Sequence, residues 1–109
     1  MEFYSDLYIS DSLKKKRNKL IRDIKHKKAS ANIYVITLPF CDHNQMEFYS
    51  ASMLKQGVFD KEDLFVIGIA DGYDGAKDLI PHIFDDVYTI TNDQDVRRYL
   101  EDSRQKGGK

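Results

Sequence analysis

Residues 64–70 read Leu-Phe-Val-Ile-Gly-Ile-Ala, seven consecutive positions without one polar side chain. A surface helix shows a polar face every turn and a half-buried strand alternates. An unbroken apolar run of this length therefore marks a strand covered on both faces. Such a strand needs one layer above it and another below. A chain of 109 residues, 41% of them hydrophobic, has material for both, so one α/β domain spanning residues 1–109 is expected.

The rest of the chain supplies alternating segments. Ile33–Leu38 is β-branched and apolar and stops at Pro39, which reads as a first strand before the run at 64–70. Val87–Ile90 reads as a third, shorter one. Ser10 or Asp11 can cap a helix over residues 12–28, with Leu13, Leu20, Ile21 and Ile24 on one face. Asn44 and Glu47 have capping-box spacing, opening a helix through Met46, Tyr49, Met53 and Leu54 that Gly57 ends. Asp71 can cap a helix from about Tyr73 to Phe84, striped by Ala76, Leu79, Ile80 and Ile83. Pro81 is expected to kink or shorten it, because it removes an intrahelical bond and crowds the preceding turn. Thr91 or Asn92 then caps a last helix through Val96, Tyr99 and Leu100. Residues 1–9 hold Phe3, Tyr4, Leu7, Tyr8 and Ile9, too apolar for a free tail, and read as a packed segment. Residues 105–109 contain Gly107 and Gly108 and read as frayed.

Strands separated by helices, in the order αβαβαβα, imply a three-stranded parallel sheet in a three-layer αβα domain. The run at 64–70 is the most continuously apolar strand and belongs in the middle, so strand order 1-2-3 is preferred to 2-1-3. Order 2-1-3 would create a topological switch point, where α/β sheets bind ligands, whereas 1-2-3 predicts no ready-made crevice.

Composition narrows the function classes. Cys41 is the only cysteine, which forbids an internal disulfide and a cysteine-rich zinc site and fits a reducing, cytoplasmic setting. Residues 1–12 carry Glu2, Asp6 and Asp11 where a secretory leader would be basic and then apolar, so no leader is expected. No run approaches the roughly 20 apolar residues that span a bilayer, so no membrane partner is expected. Gly68, Gly72 and Gly75 give GxxxGxxG, which matches neither the dinucleotide fingerprint nor the phosphate loop. Asp71 and Asp74 would also repel a phosphate there, so no cofactor is expected.

The basic segment is the most conspicuous feature. From Ser10 to Ala29 nine Lys and Arg stand against Asp11 and Asp23, a net of +7, and the remaining residues carry −8. Lys15, Lys19 and Arg22 mark a face that can track nucleic-acid phosphates or meet a partner. The simpler reading is a solvated helix face complementing the acidic remainder, within one chain or between two. The whole-chain pI of about 6.3 favours it, since basic nucleic-acid domains are usually basic throughout.

The best local set for chemistry is Cys41, Asp42 and His43, just past the first strand. Together with Asp71 or Asp93 from neighbouring strand ends, Asp42 and His43 could hold a divalent metal. The simpler reading is a polar loop leading into the Asn44 cap. His26 and His82 lack a ligand-like partner one turn on and read as surface residues, and the seven tyrosines read as packing groups.

The reading that results is a non-enzymatic α/β protein working through protein–protein contact. A symmetric homodimer is expected, with residues 1–24 at the interface, because a small sheet leaves two edges needing cover. The alternatives are a nucleic-acid-associated protein using helix 12–28, and a metal-dependent or small-molecule enzyme at the strand ends.

Overall fold

The apolar run becomes the strand covered on both faces. The computed structural model describes residues 2–38, 46–56, 65–92, 95, 98–100 and 102. In chain order the elements are β1 (Glu2–Ile9), a 3₁₀ helix (Asp11–Lys16), α1 (Arg17–Lys25), β2 (Ile33–Thr37), β3 (Glu47–Ser50), a 3₁₀ helix (Ala51–Gln56), β4 (Phe65–Asp71) and α2 (Gly72–Thr91). The sheet order is β1-β4-β2-β3. Every residue of β4 from Phe65 to Ala70 is buried.

Two helical layers sandwich this sheet. Leu13, Leu20 and Ile24 pack with Ile33, Val35, Val66 and Ile69, while Ile83 and Val87 pack with Ile36, Phe65 and Ile67. Along β2 the two sets alternate, Ile33 and Val35 facing α1 and Ile36 and Leu38 belonging with α2, as a two-residue strand period requires. Ile36 pairs with Gly68 and Thr37 with Val66, which leaves Ile67 as an extra residue on β4. This bulge lets Ile67 and Ile69 serve opposite layers differently from a regular strand. A Cβ on Gly68 would sit 3.2 Å from Ile36 Cδ1 and 3.4 Å from Leu79 Cδ2, so the missing side chain lets α2 approach the bulge closely.

The α/β class stands, but the three-stranded parallel sheet does not. The sheet has four strands and is mixed: β1 runs parallel to β4, and β2 runs antiparallel to both β4 and β3. The predicted first and second strands are neighbours, yet of opposite direction. The segment at residues 2–9 is itself a strand, whose Tyr4 and Leu7 are buried in the chain's own core. Its register against β4 slips between Phe3 and Tyr8, and Ser5 and Asp6 stand exposed there.

Val87–Ile90 is not a strand but the last turn of α2. Ile80, Ile83, Phe84 and Val87 continue one helical stripe against the sheet, and that burial outweighs the β-propensity of the local sequence. Pro81 does not end the helix, because Ile80 and Ile83 on either side of it pack on the sheet and hold the helix across the lost bond. Asn92, expected to open a helix, closes α2 in the left-handed conformation (φ 56°), which asparagine tolerates.

The helix expected from Asn44 to Gly57 is, over residues 47–50, the strand β3, followed by a 3₁₀ helix. Phe48 and Tyr49 serve opposite faces of the sheet, and Tyr49 Oη lies 3.1 Å from Thr37 Oγ1 on the paired strand. Cross-strand pairing gives Glu47–Ser50 more partners than a capping box would. The predicted helix 12–28 begins as a 3₁₀ helix and ends at Lys25, where Lys27 takes a positive φ of 59°. Asn44, Gly57, Asp93, Val96 and residues 105–109 lie outside the described residues.

Candidate functional site

Two features of the sequence meet at the end of the sheet where the parallel pair β1 and β4 both finish. Ser10 follows β1 and continues the ladder, its N–H donating to Ile69 O at 3.1 Å. Ser10 Oγ accepts the Asp71 N–H at 3.0 Å, and Ser12 Oγ donates to Asp71 Oδ2 at 2.7 Å. Neither Ser10 nor Asp71 therefore uses its side chain as the helix cap its position suggests. Each is engaged with the other's strand end instead. The Gly72 N–H donates to Asn32 O at 2.7 Å, and Gly72 turns the chain into α2 at φ 78°.

A cleft of about 450 Å³ opens here, lined by Ser10, Asp11, Ser12, Asp71, Asp78 and His82 together with Ile9, Gly75 and Leu79. Asp78 and His82 stand one turn apart on α2. The Lys14 ammonium, 2.8 Å from Asp11, bonds and attracts its carboxyl and holds it below the ordinary carboxylate range, with a smaller contribution from His82. Three carboxylates with two hydroxyls and no lysine or arginine in the lining make this cleft unfavourable to phosphate. Among the described residues no hydrogen bond joins His82 to either serine, and no group of three His, Cys, Asp or Glu is placed to hold a metal.

Of the residues singled out in the sequence, Asp71 lines this cleft. Cys41, Asp42 and His43 lie outside the described residues. The premise for gathering them with Asp71 was a parallel pair. In the antiparallel pair observed, Asp71 lies opposite Ile33, where β2 begins, and Thr37 at the far end lies opposite Val66. Ser10, Ser12, Asp78 and His82 were not anticipated as neighbours. The density of aromatic and branched residues at Phe3, Tyr4, Leu7, Tyr8 and Ile9 was the one signal that residues 2–9 form a strand and deliver Ser10 to the sheet end.

The basic segment forms the outer surface of the other layer. Leu13, Leu20 and Ile24 are buried against the sheet, and Lys15, Lys19 and Arg22 are all exposed. Two ion pairs of this segment are internal to it, Lys14 with Asp11 and Lys19 with Asp23 at 3.7 Å. Lys25 Nζ sits 5.5 Å above the Phe3 ring, and Arg17 Nη2 donates to Ser5 O at 3.5 Å, holding the helix to β1. The opposite layer is acidic: α2 carries Asp74, Asp78, Asp85 and Asp86 against Lys77 alone, a net of −3. Away from the cleft, which Asp11 and Asp78 both line, the two signs of charge lie on opposite sides of the sheet.

Comparison with protein-family models, with curated proteins and with solved structures finds no match for this chain.

Proposed function

We propose that this chain is a non-enzymatic protein that works through protein–protein contact, with the basic layer of residues 11–28 as its contact surface. The observation that carries this reading is the pairing of that layer. The two ion pairs found in it are with its own Asp11 and Asp23, and Lys15 and Arg22 stand exposed, so the acidic remainder of the chain leaves their charge available. A patch of one sign steers and orients an oppositely charged partner. An acidic protein surface fits better than nucleic acid, because basic nucleic-acid domains are usually basic throughout and this chain has a pI of about 6.3. A cytoplasmic setting belongs to this reading and is supported by the single Cys41. Among the described residues no helix is long and apolar enough to cross a membrane.

The test compares two fluorescent probes of equal charge, a poly-glutamate peptide and a DNA duplex, by anisotropy at roughly 150 mM salt. The peptide is expected to bind more tightly, and the combined Lys15→Glu, Lys19→Glu and Arg22→Glu changes to abolish its binding. Duplex binding tighter than about 10⁻⁶ M, beyond the non-specific range, would overturn the reading in favour of nucleic acid. Failure to bind either probe overturns it outright.

A further inference from the structure

We infer that copies of this chain associate head to tail, the basic layer of one copy seated on the α2 face of the next. This rests on the protein-contact reading above and names the partner. The outward face of α2 carries exposed Asp74, Asp78 and Asp85, four and seven residues apart. The three large hydrophobic side chains most exposed among the described residues are all on the same helix: Tyr73 at 53%, Tyr88 at 49% and Ile90 at 64%. Tyr73 packs its ring on Tyr34 and Phe48 of the sheet, whereas Tyr88 stands three residues after Asp85 and adjoins the acidic stripe. An apolar anchor beside charge is the composition of an interface, in which burial supplies affinity and charge supplies orientation.

The opposite layer offers the complement. Lys19 and Arg22, three residues apart, share the outward side of α1, and Lys15 is exposed on the 3₁₀ helix that leads into it. Lys19 and Arg22 stand about one turn apart on α1, as Asp74 and Asp78 do on α2, so each face carries charges spaced by roughly 5 Å.

The sandwich decides the symmetry. The two stripes lie on opposite sides of the sheet, so one chain cannot neutralise itself by bringing them together. A two-fold dimer sets like patch against like patch, which here means basic on basic or acidic on acidic. Only a heterologous contact matches the signs, and it leaves one free basic face and one free acidic face at the ends of every assembly. Growth past two copies follows.

Sedimentation velocity over a concentration series tests this on the full chain. At ~10 mM salt, where charge reaches ~30 Å, the wild-type mass is expected to climb past two copies. At ~1 M, where screening cuts that reach to ~3 Å, it is expected to fall to 12.7 kDa. A Lys15→Gln, Lys19→Gln, Arg22→Gln variant and an Asp74→Asn, Asp78→Asn, Asp85→Asn variant are each expected to remain single copies. Mixed in equal amounts, they retain one matching pair of faces and are expected to stop at two copies. All six side chains are exposed, and circular dichroism checks that both variants stay folded. A wild type that stays single at ~10 mM salt, one that plateaus at two copies, or a mixture that stays single overturns the inference. If that single wild-type copy still binds poly-glutamate through Lys15, Lys19 and Arg22, only self-association falls and the contact surface stands. If it binds nothing, both fall.

Discussion

Ser12 Oγ donates a 2.7 Å hydrogen bond to Asp71 Oδ2 across 59 residues of sequence, tying the start of the basic segment to the end of β4. The Asp71 N–H returns to Ser10 Oγ at 3.0 Å, so one residue is held from both its backbone and its side chain. A hydrogen bond of this kind contributes about 1 kcal/mol net, and less where water can replace it. Ser12→Ala is therefore expected to lower the stability by about 1 kcal/mol at most, with poly-glutamate binding unchanged. Urea denaturation reads the first and anisotropy the second. A midpoint that does not move would mean that solvent replaces the bond in full.

Gly72 joins β4 to α2 at φ 78°, and a Cβ built on it meets nothing within 4 Å. Any cost of substitution is then conformational and not steric crowding by neighbours. Gly72→Ala is expected to lose about 1–2 kcal/mol, the penalty for an L-residue in the left-handed region. Gly72→Asn should lose less, since asparagine visits that region more readily. Equal losses in the two variants would argue against this account.

Ile24 and Ile83 are both fully buried, in separate clusters on opposite sides of the sheet. Each Ile→Val change removes one methylene and is expected to cost about 0.5–1.5 kcal/mol. With no shared partners their costs should add to within roughly 0.5 kcal/mol in the double variant. A larger departure from additivity would show that the sheet transmits strain from one layer to the other.

Burial raises the Tyr8 hydroxyl well above its ordinary value of 10.0, and the charge and hydrogen bond of Asp86, then Tyr4 and Tyr99, push it the same way. The neutral form is thus favoured in the folded chain, while the unfolded chain ionises near pH 10. Stability from this group is fully present below about pH 10 and is lost as the pH rises above it. Burial also raises Tyr49, which adds in the same direction. Urea midpoints at about pH 9 and about pH 11 are expected to fall less in Tyr8→Phe than in the wild type. An equal fall in both would assign the alkaline loss to other groups.

Several elements were legible from local sequence. The runs at 33–38 and 64–70 announce buried strands, the face of Leu13, Leu20 and Ile24 announces a basic amphipathic segment, and the layered α/β class follows from the two together. Asp71 was legible as a strand-end residue for the same reason. Other features were not, because they depend on partners far away in the chain. An apolar strand presents the same alternation whichever way it runs, so nothing in Ile33–Leu38 states that β2 opposes β4. Glu47–Ser50 carries a helix-start spacing, but the unpaired edge of β2 recruits it as a strand. Val87–Ile90 has strand-like residues, yet packing of Val87 beside Ile83 on the sheet keeps it in α2. The cleft needs β1, β4 and α2 together, and so only the tertiary structure brings Ser10, Ser12, Asp78 and His82 to Asp71. Charge follows the same division. The sequence alone determined that +7 is concentrated within twenty residues, but the sheet decided that the acidic helix lies on the opposite layer. Side-chain period and charge are properties of neighbours in the chain, whereas strand direction, register and the face a helix covers are chosen by which pairing buries the most apolar surface at once.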